Sequence, residues 1–326
     1  MVRHTTNGAA RGGVHAEGLG KRFGELWAVR ELELHVAPGT ILGLLGHNGA
    51  GKTTAIRMLT TLSRPTTGRA TVAGFDVVAQ AGAVRRAIGV AAQQATVDGL
   101  LGGRLNLELI GRLHGLSRRD ARTRADALLA QFDLEDAGSR LVKTYSGGMR
   151  RRLDLAASLV ASPTVLFLDE PTTGLDPLAR DGLWQTLRDL VRDGTTLILT
   201  TQYLEEADRL ADDIVVLDHG RAVAQGTPAH LKARIGGDRL DVTLPSPDGL
   251  PAAAAAVARF ASAEPATDAS TLTVTVPLVA GTRLVDVVRT LDEAGVDVTD
   301  VHRREATLDD VFLSLTTSDH RERTAA

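Results

Sequence analysis

The 326-residue chain contains no cysteine. That excludes disulfide scaffolding, thiol catalysis and cysteine-based zinc sites, and it fits a reducing compartment. No HExxH replaces them, and the nine histidines have no metal-ligating spacing along the chain. Aromatic residues make up 3%, few for a protein that reads single-stranded nucleic acid by stacking bases. Lysine is scarce as well, at Lys21, Lys52, Lys143 and Lys232, while arginine and alanine abound, so a neutral compositional bias explains the aromatic poverty equally well. No stretch of about 18 uncharged apolar residues occurs. The polar start, Met1 to Gly13, lacks the apolar segment of a signal peptide. The expectation is a chain that neither crosses a membrane nor is exported.

What remains is the composition of a globular protein, with 43% apolar and 24% charged residues, which excludes collagen-like and disordered classes. At about 100–200 residues per domain, the length predicts two domains. Charge supports the division. Residues 236–326 carry 8 arginines against 15 carboxylates, a net of −7, whereas residues 1–235 carry 29 basic and 25 acidic residues, a net of +4. From Leu240 onward the text turns to Val/Thr alternation and an alanine run, punctuated by Pro245, Pro247 and Pro251. These changes place a boundary near Gly236-Gly237. The expected organisation is a flexible tail over 1–13, a first domain over 14–235, an acidic accessory α/β domain over 236–316 and a second tail over 317–326.

In the first domain, Ile41–Leu45, Val165–Leu168, Thr196–Thr200 and Ile214–Leu217 read as buried strands. Lys52–Leu62, Ala121–Phe132, Met149–Leu159, Arg180–Asp193 and Leu204–Leu210 read as helices. Such alternation predicts an α/β architecture around a mostly parallel sheet. A helical insertion interrupts it over about 95–160, with apolar spacing at Leu105, Leu109 and Leu113. In the second domain, period-2 runs at Leu240–Leu244 and Leu272–Val276, with a weaker one at Val296–Val298, alternate with helices at Ala252–Ala261 and Leu284–Ala294. A last short helix follows Thr307, with Asp310 at the capping-box distance.

The strongest chemical signal is Gly46-His47-Asn48-Gly49-Ala50-Gly51-Lys52-Thr53-Thr54, between a buried strand and a helix. Glycines let successive N–H groups curl around a triphosphate, Lys52 reaches its β and γ phosphates, and Thr53 offers a hydroxyl to Mg²⁺. His47 reads as a filler of the loop. A second signal is Asp169-Glu170 at the carboxyl end of an apolar strand. Two adjacent acids there repel and lose solvation unless a cation joins them. Mg²⁺ held by Asp169 supplies one, leaving Glu170 to orient and deprotonate a water. The third signal is Tyr145-Ser146-Gly147-Gly148-Met149, a glycine-containing turn that opens a helix and makes a second anion-binding terminus. Arg150-Arg151-Arg152, just after it, reads as a solvated basic face.

In this order and spacing the three motifs resemble the nucleotide-binding subunit of ABC transporters, over about Val14 to Ile235. The fold so implied is a P-loop NTPase with a helical insertion, followed here by the small C-terminal α/β domain. The resemblance makes Phe23 the aromatic stacked on adenine, Gln93 the Q-loop glutamine and a further Mg²⁺ ligand, and Gly174-Leu175-Asp176 the D-loop. It implies a homodimer in which each ATP is enclosed by the Gly46–Thr54 loop of one subunit and Ser146–Gly148 of the other. Two departures stand out. Gln202 occupies the switch position where most of the family has His, so it can donate a hydrogen bond to the γ-phosphate but carries no proton or charge. Met149 ends the signature where Gln is commoner. Thr200-Thr201-Gln202-Tyr203-Leu204-Glu205-Glu206-Ala207-Asp208 and the closing Ala306-Thr307-Leu308-Asp309-Asp310-Val311-Phe312-Leu313 are similar to ATP-binding subunits of the daunorubicin-resistance type. Those subunits sit peripherally at the cytoplasmic face of the membrane and energise a separately encoded ABC-2 type permease that exports drugs or hydrophobic metabolites. Two alternatives stay open at this level: a non-transport ATPase of the same family acting on ribosomes or DNA, and an importer subunit. Against the first, the insertion is too short for the coiled coils of a chromosome-structure protein and there is one cassette, not two, so no nucleic-acid partner is expected.

Overall fold

The computed structural model describes residues 12–91, 97–234 and 238–312. Gln93 and the two outermost tails expected from the sequence lie wholly or mostly outside these residues. The chain divides into two compact units between Thr227 and Pro228, eight residues ahead of the composition change at 236.

The first unit runs β1 (Val14–Phe23), β2 (Leu26–Val36), β3 (Ile41–Leu45), α1 (Lys52–Leu59), β4 (Thr67–Val72), β5 (Phe75–Asp76), α2 (Ala81–Ala87), β6 (Ile88–Ala91), α3 (Gly103–Leu113), α4 (Arg118–Gln131), α5 (Gly147–Ser158), β7 (Val165–Asp169), α6 (Pro177–Arg192), β8 (Thr196–Thr201), α7 (Leu204–Leu210), β9 (Asp213–Asp218) and β10 (Arg221–Gly226). Its strands form two sheets. One is antiparallel, in the order β2-β1-β4-β5, and the other has the order β10-β9-β3-β8-β7-β6. In the second sheet all neighbours run parallel except β10 against β9. The buried strands β3 and β7 have every residue inside, as the continuous apolar runs of a sheet covered on both faces require. One apolar cluster joins the two sheets around α1, combining Val14, Leu19 and Val29 with Met58 and Leu59 and with Leu42, Phe167 and Ile198.

The helical insertion is α3 and α4, with α5 following. Ser117 caps α4, accepting from Asp120 N at 3.1 Å. Leu107, Ala121, Ala125, Leu128 and Leu129 are buried. The Leu105, Leu109 and Leu113 stripe that marks α3 in the sequence faces solvent instead; Leu113 is 79% exposed. The buried side of α3 is Gly103, Asn106, Leu107 and Gly111.

The second unit runs α8 (Pro228–Arg234), β11 (Arg239–Thr243), α9 (Leu250–Val257), β12 (Ala266–Asp268), β13 (Thr273–Pro277), α10 (Leu284–Glu293), β14 (Asp300–Arg304) and a final helical turn over 308–312. Its sheet has the order β12-β13-β11-β14 and is antiparallel throughout. Leu240, Val242, Val274 and Val276 form its core with Ala253, Val257, Val287 and Leu291. The weak strand expected at Val296–Val298 is not one; the strand is β14, starting at Asp300. Thr307 caps the last turn as a reciprocal box, its N–H donating to Asp310 Oδ2 at 2.8 Å while its Oγ1 accepts from Asp310 N at 3.3 Å.

Candidate functional site

The phosphate loop joins β3, a central strand of the parallel sheet, to α1, so it lies at the carboxyl edge where open α/β sheets bind ligands. Close backbone approach fixes its glycines. Gly51 caps α1 with φ 108°, and a Cβ on it would lie 2.4 Å from Ala28 O. Gly46 has φ 153° and a Cβ there would lie 2.4 Å from Leu217 O. Lys52 is buried, and its Nζ donates to Gly46 O at 2.6 Å and His47 O at 3.1 Å. Glu170 Oε1 stands 3.9 Å from the same nitrogen. Burial pushes the Lys52 ammonium below its ordinary range, opposed by the charges of Glu170 and Asp169.

Strand β7 delivers both carboxylates to this place. Asp169, itself buried, accepts from Thr53 Oγ1 at 3.1 and 3.3 Å and from Thr200 Oγ1 at 2.5 Å. The donor set of two hydroxyls and a carboxylate, all oxygen, is the kind that Mg²⁺ selects. Glu170 has φ 48°, a left-handed backbone that costs a non-glycine residue roughly 1–2 kcal/mol. Three hydrogen bonds hold it there: its N–H donates to Thr200 O and Thr200 Oγ1, both at 3.1 Å, and its carbonyl accepts from Arg151 Nη2 at 3.1 Å.

Arg151 and Thr200 are the residues that sequence reasoning passed over. Arg151 starts from α5, yet its Nε donates to Pro171 O at 2.7 Å and its Nη2 also reaches Asp169 O at 3.2 Å. The triple-arginine run is therefore no solvated face. Arg152 turns to Phe132 O at 3.1 Å, and none of the three is fully exposed. Helical rotation of about 100° per residue, implied by 3.6 residues per turn, sends adjacent side chains to different surroundings. Burial lowers the Arg151 guanidinium from its ordinary value, while Asp154, Asp169 and Glu206 pull the other way.

Of the other expected residues described, Ala50 is buried in the loop, while most of the rest lie at or near the surface. Phe23 is 56% exposed at the end of β1, with Lys21 Nζ 5.1 Å from its ring centroid. Gln202 is exposed just after β8. Ser146 caps α5, accepting from Met149 N at 3.2 Å, and both it and Gly147 are exposed. A Cβ on Gly148 would meet Leu175 and Ala179, so the signature turn lies beside the D-loop. Asp176 caps α6 through Ala179 N at 2.8 Å. Among the described residues, no helix is long and apolar enough to cross a membrane.

A phosphate loop on a parallel sheet, two acids at the end of β7, an antiparallel side sheet and a helical insertion that leads into a glycine-rich helix start define an ATP-binding cassette. The ABC transporter family model matches residues 29–173. The chain is 55% identical over 304 residues to the daunorubicin resistance ATP-binding protein DrrA2 of Streptomyces coeruleorubidus, covering 93% of this chain and 94% of that protein. It is 46% identical over 312 residues to the doxorubicin resistance ATP-binding protein DrrA of Mycobacterium tuberculosis, covering 93% of each. It is 40% identical over 310 residues to the Nod factor export ATP-binding protein I of Ralstonia nicotianae, covering 94% of each. Among solved structures, an ATP-binding subunit of an ABC transporter superposes with a TM-score of 0.62 at 27% identity, over 68% of this chain and 92% of that one. A dimeric cassette in a post-hydrolysis state with ADP and Pi gives 0.61 at 25% identity, over 66% and 98%. The chain belongs to the ABC transporter ATP-binding family. It is an ATP-binding, ATP-hydrolysing subunit, and cassettes of this kind work as dimers with a membrane permease.

Proposed function

We propose that this subunit energises a separately encoded ABC-2 type permease, at the cytoplasmic face of the membrane, for export of a drug, antibiotic or hydrophobic metabolite. The observation that carries the reading is the division of phosphate-binding groups within one chain. Lys52, Thr53, Asp169 and Glu170 converge at the β3 and β7 edge, while the second anion-binding terminus opens at the surface, with Ser146 and Gly147 exposed and Gly148 beside Leu175 and Ala179. Such a half-site calls for a second copy, and the homodimer encloses each ATP between one subunit's phosphate loop and the partner subunit's Ser146. The direction of transport rests on similarity to drug-resistance and Nod factor export proteins. The solvent-facing stripe of Leu105, Leu109 and Leu113 on α3 is a suitable seat for an apolar cytoplasmic segment of the permease.

In turnover, Lys52 leaves the Gly46 and His47 carbonyls for the β and γ phosphates, Phe23 stacks on the adenine, and the loop N–H groups cradle the phosphate oxygens. Glu170 takes the proton of a water aligned with the γ-phosphate, an effect typically worth about 10²–10⁴-fold in rate. Gln202 donates its amide to the γ-phosphate as a neutral group. Thr53 and Asp169, with Gln93, are the residues to hold Mg²⁺, whose charge would offset that developing on the phosphoryl oxygens.

Glu170→Gln tests the scheme. ATP binding should persist, turnover should fall at least about 10²-fold, and gel filtration with ATP should reveal a trapped dimer. A monomer under those conditions refutes the dimeric site. For direction, cells expressing chain and permease should accumulate less of a fluorescent anthracycline than cells carrying the Glu170→Gln form; greater accumulation indicates import, and co-purification with ribosomes or DNA instead of membranes removes the transport reading.

A further inference from the structure

The turn between β9 and β10 is fastened to the phosphate loop. Gly220 N donates to Ala50 O at 3.0 Å, and the space beside Gly46 is closed by Leu217 O. This approach carries Asp218 and His219 to His47, which stands 171 residues before Asp218. His47 Nε2 lies 2.9 Å from Asp218 Oδ1, and His219 Nε2 lies 3.9 Å from the same oxygen. One ligand atom from each of the three falls within 4.8 Å of the other two. The carboxylate is buried while both imidazoles are partly open to water, with side-chain exposures of 40% for His47 and 57% for His219. Far from filling the loop, His47 belongs to a cluster, closed on its inner side by Asp218, that sequence spacing could not reveal.

The second nitrogen of His47 determines what the cluster wants. Nδ1 lies 2.7 Å from Asn48 O, and a carbonyl oxygen only accepts, so Nδ1 carries the ring hydrogen. In a neutral imidazole Nε2 is then a lone pair, aimed at a carboxylate oxygen 2.9 Å away. Two acceptors at that distance need a positive centre, either a second ring proton or a metal ion. An imidazole whose far N–H is held by a backbone carbonyl is the arrangement that orients metal-binding histidines.

We propose that His47, Asp218 and His219 form a site for a borderline transition-metal ion, with Zn²⁺ the type case and water as fourth ligand. Two imidazoles and one carboxylate suit such an ion, whereas Mg²⁺ prefers an all-oxygen shell like that of Thr53 and Asp169. At bond lengths of about 2.0–2.1 Å, ligand atoms of a tetrahedral site stand about 3.3 Å apart. That value lies between the His47–Asp218 and His219–Asp218 separations, and the ligand nitrogens of the two imidazoles stand within 4.8 Å of each other, so side-chain rotations reach it. The ion ties the β9–β10 turn to the loop residue whose carbonyl helps hold Lys52.

The test uses the metal-stripped, nucleotide-free full chain, titrated with Co²⁺ as a spectroscopic probe and then with competing Zn²⁺. One equivalent of Co²⁺ should give the visible bands of four- or five-coordinate geometry. His219→Ala should abolish them and weaken Zn²⁺ binding at least about 10-fold, since loss of even an outer-shell partner costs 10–100-fold. His219→Asn, which tolerates the positive φ of this residue, repeats the test should the alanine form fold poorly. Removing His15 and His35, whose Nδ1 atoms lie 3.0 Å apart on β1 and β2, should leave the spectrum unchanged. The proposal is overturned if both His219 variants bind Co²⁺ as the parent does, if the bands vanish with His15 and His35, or if the parent binds no metal near neutral pH.

Discussion

Arg151 ties the helix behind the signature turn to the strand end that bears both carboxylates, and its replacement should separate chemistry from nucleotide binding. Its guanidinium donates to the carbonyls of Pro171, Glu170 and Asp169 at 2.7, 3.1 and 3.2 Å. Hydrogen bonds from a charged donor contribute about 1.5–3 kcal/mol each, but three from one side chain are not additive. Leaving a carbonyl without its donor costs about 1–3 kcal/mol, so with three carbonyls sharing the loss about 3–5 kcal/mol is expected in Arg151→Met. At about 2–4 °C per kcal/mol for a unit of this size, the unfolding midpoint of the first unit should fall by roughly 6–20 °C. Trp27 and Trp184 both belong to that unit, so tryptophan fluorescence reads its transition. With the Glu170 carbonyl released, the strained backbone that aims the carboxylate relaxes. A displacement of 1 Å costs on the order of 10²-fold in rate, so kcat should drop by about that factor at temperatures where the variant stays folded. KM should move little, because Lys52 and the loop are untouched. Arg151→Lys keeps the charge but cannot span three carbonyls with one ammonium, and should fall between the two. A folded Arg151→Met with parental kcat would refute this account of how Glu170 is held.

Two glycines of the phosphate loop offer a contrast. Gly51→Ala meets Ala28 O at 2.4 Å in addition to its φ of 108°, whereas Gly49 has φ 86° with nothing within 4 Å of a Cβ. Calorimetric ATP titration should therefore find at least about 10-fold weaker binding for Gly51→Ala, while Gly49→Ala carries the roughly 1–2 kcal/mol of backbone strain alone. In the second unit, burial works to raise the Asp310 carboxyl, but bonds from Arg304 and Thr307 outweigh it and hold the group below its ordinary value. A depressed folded pKa means stabilisation complete above about pH 4 and lost as pH falls through the depressed value. Hydrogen exchange at the amides of β11 and β13 should speed up in that acid range, and Asp310→Asn should remove this acid dependence while weakening the unit at neutral pH.

The site was legible where its chemistry is written in consecutive residues. Gly46 to Thr54 and Asp169-Glu170 each announce a strand end, and the flanking apolar runs Ile41–Leu45 and Val165–Asp169 are the strands themselves. Alternation failed where the sheet is irregular or exposed. β1 carries register shifts on both its ladders, and bulges break period-2 patterning, so the antiparallel side sheet left little trace. β14 is an edge strand, Asp300-Val301-His302-Arg303-Arg304; its polar residues make ion pairs such as Arg304 with Asp241 and Asp310, while the apolar Val296 and Val298 pack on the core from outside any strand. Contacts between distant residues were invisible for a simpler reason. Nothing near Arg151 in sequence names the carbonyls 18 to 20 residues on that it binds, and nothing near His47 names Asp218.

The left-handed backbone of Glu170 sets durability against reactivity at a single position. Asparagine or glycine would occupy that conformation with less strain, so a chain selected for thermal endurance alone would drift toward those residues and lose the carboxylate proposed as general base. Retaining glutamate there commits the protein to a permanent conformational debt, held in check by Thr200 on one side and Arg151 on the other.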